Sequence, residues 1–311
     1  MTTLQERIER KDVIILDGAM GTELQRRGVP MHHVAWSGEA VLTHPEAIRE
    51  VHEDYIGAGA DVIITNTFST ARHVLGPAGL GDKVAEANRR AVALAKEARD
   101  KAAGDRPVWI AGSISSFIAG LDPENMPGPD EFKANYREQA KLLAEAGVDL
   151  IVLEMMSDVE QSTIAVEAAG ATGLPTWVGF SCSIGPDGAT LILRGEDGVE
   201  RPFEVALGAV MAAGGSLAAV MHTEVETTRP ALEIVFDHWS GPVAAYPHSG
   251  DFVMPNWQFV DIIAPEDFVA EAQRWVEMGV RVVGGCCGTG PEHIRLLKER
   301  LPSRIPAAGS S

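Results

Sequence analysis

The sequence is short of positive charge. It has 26 Lys and Arg residues against 44 Asp and Glu, a net charge of −18 over 311 residues. Such a surface repels phosphate backbones and anionic lipid, which excludes nucleic acid and membrane surfaces as partners. Long apolar runs are also absent: none reaches the roughly 18 residues that would suggest a membrane span. Residues 1–11 are a charged helical pattern, unlike a secretory leader. Cysteine is scarce, at three residues, too few for a disulfide framework. A reducing, cytoplasmic setting is therefore expected, and the cysteines need burial or chemistry to explain them. What remains is ordinary globular composition, 45% hydrophobic and 23% charged, in a chain long enough to bury a large core.

Short β-branched runs alternate with amphipathic stretches. Strands are expected at 13–16, 62–65, 108–111, 150–154, 176–180, 218–222, 243–246 and 282–285. Most are continuous rather than alternating, as in parallel strands covered on both faces. The clearest helical patterns fall at 82–103 and 129–146. Glycines such as Gly59, Gly147, Gly173 and Gly279 read as helix stops feeding the next strand. Eight such units predict an α/β fold, a (β/α)8 TIM barrel, with a doubly wound sheet as the competing arrangement. No linker divides the chain, so a single barrel over 1–311 is expected, with 302–311 a frayed polar tail.

Loop lengths separate the two ends of this barrel. Helix-to-strand connections are short. The long connections follow the first, third, fifth and seventh strands, at 17–42, 113–130, 181–204 and 247–265. All leave the C-terminal ends of strands, where barrel active sites lie.

The sharpest chemical feature is Gly284-Gly-Cys-Cys-Gly-Thr-Gly290 at the end of the eighth strand. Neighbouring strand residues point to opposite faces. Cys286 and Cys287 can therefore share a ligand only where the strand breaks, which the glycines permit. Two thiolates contribute to a zinc site but do not fill one; a small buried pair beside a turn is the alternative. Cys182, His222 and His248 lie at strand ends on the same face. His222 ends the sixth strand, and alternate strands share an inward layer, which makes it the attractive third ligand. The other histidines considered, His32, His44, His52, His73 and His293, have no converging ligand. Asp17 follows the first strand and suits a substrate amine. Glu154 directly follows a buried strand, where a carboxylate is costly without a partner. Asn66 and Thr67 are placed to hydrogen-bond substrate or to close a turn. Trp36, Phe117 and Trp257 lie in the long loops, where aromatics either cage a methylated cation or pack the core.

Together these motifs resemble the homocysteine S-methyltransferase family, over nearly the whole chain. The matching segments are Asp17-Gly-Ala-Met-Gly-Thr-Glu-Leu24, Gly59-Ala-Asp-Val-Ile-Ile-Thr-Asn-Thr-Phe68, Ala111-Gly-Ser-Ile114, Leu153-Glu154 and Gly284-Gly-Cys-Cys-Gly288. The resemblance implies that Cys286 and Cys287 are zinc ligands. It implies that Asp17 and Glu154 hold the amino acid part of homocysteine. Asn66, Thr67, Ser113 and His248 are the further candidate substrate-binding residues. The chain departs from the pattern at three places. His222 stands where the family has its first zinc-binding cysteine, Ser115-Ser116 replaces Gly-Pro, and His248 replaces an asparagine.

The expected activity is zinc-dependent transfer of a methyl group from a small sulfonium or betaine-type donor to homocysteine or a related thiol. Zn²⁺ with two thiolates and a neutral imidazole is neutral, whereas three thiolates give −1. The neutral set leaves a bound sulfur less electron-rich, which points to a more reactive donor or a different acceptor. A divergent metal- or ligand-binding barrel, and a metal-dependent lyase or hydrolase with His248 as base, are the other readings. The chain stops soon after its eighth helix, so a monomer or weak homodimer is expected.

Overall fold

In a computed structural model, the described residues are 2–118, 126–194, 199–253 and 258–306. Trp257 and residues 307–311 of the expected tail lie outside them. The eight strands are β1 (Ile14–Ile15), β2 (Val62–Ile64), β3 (Trp109–Ser115), β4 (Leu150–Met156), β5 (Thr176–Phe180), β6 (Leu217–Glu224), β7 (Val243–His248) and β8 (Val282–Val283). They pair in parallel in chain order, β8 returns to β1, and a parallel bridge from Leu16 to Val62 joins β1 to β2. The sheet is thus a nearly closed barrel rather than a doubly wound sheet.

The helices follow their strands: α1 (Pro45–Ala58), α2 (Val84–Ala102), α3 (Pro129–Ala146), α4 (Val159–Gly170), α5 (Phe203–Met211), α6 (Val225–His238), α7 (Pro265–Met278) and α8 (Pro291–Arg300). Proline opens α1, α3, α7 and α8, where its missing N–H costs nothing. Left-handed glycines close α1, α3 and α7 at Gly59, Gly147 and Gly279. Gly173 is also left-handed, but it lies past the α4 cap at Ala171.

Two apolar layers hold the barrel. Leu16, Val62, Leu150, Val152, Leu217 and Met221 fill its interior. Ile8, on the N-terminal helix Leu4–Glu9, joins this inner cluster, and the Arg7 guanidinium lies 5.6 Å over the Trp109 ring. Outward residues such as Ile15, Ile151, Val220 and Val283 pack against the helices.

Two long loops carry structure that the sequence pattern did not predict. Ser183–Ile184, Leu191–Arg194 and Glu200–Pro202 form a three-stranded antiparallel sheet. Its first turn, Gly185-Pro-Asp-Gly188, is braced by the Asp187 carboxylate, which accepts from the Ala189 and Thr190 N–H groups. Asp251–Val253 pairs with Gln258–Val260 as a second hairpin.

Candidate active site

The strand ends place the chemistry by breaking their own regularity. On β6, Leu217, Ala219 and Met221 point inward, while Ala218 and Val220 point outward. Strict alternation would send His222 outward as well. The register against β7 slips by one residue between Met221 and Glu224, and His222 takes φ +43°. This bulge turns its imidazole into the barrel mouth. Ser181 Oγ donates to the His222 carbonyl at 2.8 Å and holds the bulge. β4 does the same between Leu153 and Met156, with Met155 at φ +56°. Here Glu154 keeps the inward parity of Leu150 and Val152. The Ser116 hydroxyl donates to the Met155 carbonyl. Positive φ at a bulky residue is strained and collects at functional sites.

β8 ends in a tight turn. The Cys286 carbonyl accepts from the Thr289 N–H at 3.2 Å and the Thr289 hydroxyl at 2.7 Å. Gly288 is left-handed (φ +84°), and a Cβ there would lie 2.1 Å from the Ser249 carbonyl oxygen. The turn brings Cys286 Sγ to 3.9 Å from Cys287 Sγ and to 3.6 Å from His222 Nδ1. The three ligand atoms all lie within 4.8 Å of one another. From usual Zn–S and Zn–N lengths, a tetrahedral zinc site has S···S edges of about 3.7 Å and S···N edges of about 3.5 Å. The donor set fits. Cys287 and burial hold the Cys286 thiol well above its usual range, and only His222 pulls it down. A cation is what such a pair of adjacent thiols needs in order to ionise.

Cys182 does not join them. It is buried against Thr223, and burial pushes its thiol up to about 11. His248 lies beside the set: its ring is 4.7 Å from that of His222, and its Nδ1 has no partner. Burial, then His222, lowers it to about 4.

A recess beneath the sulfurs is lined by Gly18, Ile64, Asn66, Glu154, His222 and Cys286 among others. Glu154, 7% exposed, accepts from the Ser113 hydroxyl. Burial raises it to about 7, against the opposing pull of Ser113 and His222. Asp17 is buried behind Gly18. One of its oxygens accepts from the Ile64 N–H at 2.8 Å, and the other has no partner. Burial raises its pKa strongly, and the charge of Glu154 adds to that.

The remaining sequence candidates separate. Asn66 lines the recess, but its amide is spent on Ser37, donating to the carbonyl at 2.9 Å and accepting from the hydroxyl at 3.0 Å. Thr67 is fully buried and exchanges hydrogen bonds with the Ser113 backbone. Neither Thr67 nor Ser113 lines the recess; both lie one layer behind it. Tyr246 was not singled out from the sequence. Its hydroxyl is buried without a partner, and burial, then Glu154, Cys286 and Asp17, raise its pKa. The inward parity of Ala244 and Tyr246 on β7 was the available signal.

A larger chamber of about 570 Å³ adjoins the recess and shares Trp36, Phe68, His222 and Cys287 with it. Trp36 meets Phe68 edge-on at 5.7 Å, and Phe68 lies 5.2 Å from Phe117. Ser115 supports this wall. Ser115 Oγ donates to the Phe68 carbonyl at 2.5 Å and accepts from the Phe117 N–H at 3.2 Å.

Comparison with known proteins bears on this arrangement. The family model described as homocysteine S-methyltransferase matches residues 14–301. A homocysteine S-methyltransferase of Escherichia coli (strain K12) is 31% identical, over 96% of this chain and 98% of that protein. A selenocysteine methyltransferase of Astragalus bisulcatus is 29% identical, over 93% of this chain and 92% of that protein. The crystal structure of the homocysteine methyltransferase MmuM from Escherichia coli, in its metallated form, superposes with a TM-score of 0.76. It is 25% identical and covers 96% of this chain and 99% of that one.

Proposed function

Because the chain belongs to the homocysteine S-methyltransferase family, we propose that His222, Cys286 and Cys287 hold a zinc ion beside which homocysteine is methylated on sulfur. The observation that carries this reading is the convergence of three soft donor atoms within 4.8 Å, next to a recess with a buried carboxylate on its wall. Zinc, when bound, supplies the positive charge that ionises the acceptor thiol and holds its sulfur as a nucleophile.

The chain's own residues do the rest. Glu154 accepts the acceptor's ammonium group, and the Ser113 hydroxyl orients its carboxylate. Asp17 adds a second negative charge from behind, with one oxygen still free to accept. An ammonium group at this place would return both carboxylates to their ionised forms. Transfer then needs alignment more than acid or base. The thiolate sulfur forms a bond to the methyl carbon as the carbon–onium bond breaks, and the electron pair leaves with the donor. No proton moves in that step. His248, lowered to about 4, is a poor general base at neutral pH, which weighs against the hydrolase reading.

Metal analysis of protein purified under reducing conditions, beside His222→Ala, tests the proposal. The expected result is about one zinc per chain, lost in the variant. Unchanged metal content in His222→Ala refutes His222 as a ligand. Absence of zinc from the unmodified protein refutes the site.

A further inference from the structure

The strand that presents Ser113 to Glu154 is completed on one side by a side chain. β2 stops at Ile64, opposite Ala111 of β3, and the Thr65 N–H still donates to the Ala111 carbonyl at 2.9 Å. In a continuing parallel ladder, the Thr65 carbonyl and the Thr67 N–H would serve Ser113 next. They bond each other instead, at 2.7 Å. The Thr67 hydroxyl takes their place. It donates to the Ser113 carbonyl at 2.7 Å and accepts from the Ser113 N–H at 3.1 Å. Its one proton is then used, so the Thr65 hydroxyl, 2.8 Å away, donates to it.

Thr67 is anchored in turn from the helix layer. Its carbonyl accepts from Gln139 Nε2, on α3, at 2.8 Å. Gln139 is buried, and its Oε1 has no partner. An unmet buried acceptor costs stability, so packing alone does not account for a glutamine here. The chain of bonds ends on the Ser113 hydroxyl, which donates to Glu154. We propose that Thr67, held by Gln139, is a positioning residue for the acceptor: it fixes Ser113, and through it the carboxylate of Glu154 that receives the acceptor's ammonium group. The inference rests on the acceptor reading given above and deepens it with residues that never touch the substrate. Thr67→Val keeps the shape of the side chain and removes the hydroxyl. The Ser113 carbonyl then loses its donor, and the N–H keeps only the longer contact to Thr65 Oγ1, at 3.3 Å. Both groups are buried, so the strand end must shift to regain partners. That shift carries the Ser113 hydroxyl away from Glu154 and leaves the charge of the carboxylate in place.

Calorimetric titration of the zinc-loaded full chain with homocysteine and with 4-mercaptobutanoate, which is homocysteine without its amino group, tests this. The parent should prefer homocysteine at least tenfold. Thr67→Val should shrink that preference at least fivefold with zinc content unchanged, and Thr67→Ser should keep it within twofold. Gln139→Met leaves the hydroxyl and removes its anchor. It should shrink the preference at least twofold, and it makes the same test if Thr67→Val does not fold. Thr67→Val combined with Ser113→Ala should match Ser113→Ala alone within twofold. An unchanged preference in the folded variants, including an equal loss of both thiols, overturns the inference and leaves the acceptor reading intact, as do losses that add in the double variant. Equal binding of the two thiols by the parent overturns both.

Discussion

Replacing Glu154 by Gln separates the needs of the fold from those of the substrate. In the unfolded chain this carboxyl ionises near 4.5, whereas burial in the native state raises it to about 7. Between those values the unfolded chain releases a proton that the folded chain retains, so stability is full below 4.5 and falls as pH rises through 7. The loss amounts to about 3 kcal/mol by pH 8. Gln removes the ionisation and can still accept from Ser113. Metal-stripped Glu154→Gln should therefore match the parent near pH 4.5 and exceed it by about 3 kcal/mol at pH 8, on the order of 5 °C in midpoint. The same change removes the carboxylate proposed to face the acceptor's ammonium, and loss of one partner of a buried charge pair costs roughly 2–5 kcal/mol. KM for homocysteine should rise by about 30-fold or more, with zinc content unchanged. Urea unfolding at pH 5 and pH 8, with initial rates across homocysteine concentration, measures both. A variant no more stable at pH 8 than its parent refutes the burial argument. An unchanged KM refutes the binding role.

Acid should weaken the fold through two other buried groups. Burial lowers His52 to about 3 and His73 to about 4, while both titrate near 6.5 when unfolded. Their contribution is complete above 6.5 and falls by roughly 2.7 kcal/mol per pH unit below it until the native groups also titrate. Glu154 and Asp17, whose pKa values are raised, titrate with the opposite sign over this range, so the test is the difference in urea unfolding between His52→Leu and its parent. From pH 7.5 to 5.5 it should shift by about 1.4 kcal/mol in favour of the variant, and an unchanged difference counts against the argument. At the cysteine turn, Gly288→Ala places a Cβ 2.1 Å from the Ser249 carbonyl in left-handed backbone. The variant should lose zinc and about 2–4 kcal/mol of stability; native metal content and midpoint would show that the turn does not fix the sulfurs.

The barrel was legible because each unit repeats the same physics. A β-branched run buried on both faces is followed by an amphipathic helix, with proline or glycine at its ends. α3 begins and ends where its pattern does, at Pro129 and Ala146. The rim sheets were less legible, since short, half-exposed strands lack a buried face to fix their period. Cys286 and Cys287 announced themselves through the glycines that let a strand break. His222 was legible as the third candidate from its place at the end of the sixth strand; what the sequence did not show is the bulge that turns it in, since strict strand parity points it outward. For Thr67 the sequence left open a substrate contact or a turn, and the structure shows its hydroxyl bonded to the Ser113 backbone; the Ser113 hydroxyl, expected at the substrate, donates to Glu154, a contact between two strands that sequence spacing does not encode.

The bulge at His222 also bears on how such a site changes over time. Its backbone, not its side chain, determines that whatever occupies position 222 faces the two sulfurs. Histidine and cysteine would meet the same left-handed strain there and the same neighbours. Exchange between them would leave the barrel alone and alter only the electrons given to the proposed metal centre. Position and chemical character are thus inherited separately: descent can retune the reactivity of the acceptor sulfur by one substitution, without rebuilding the scaffold that aims it.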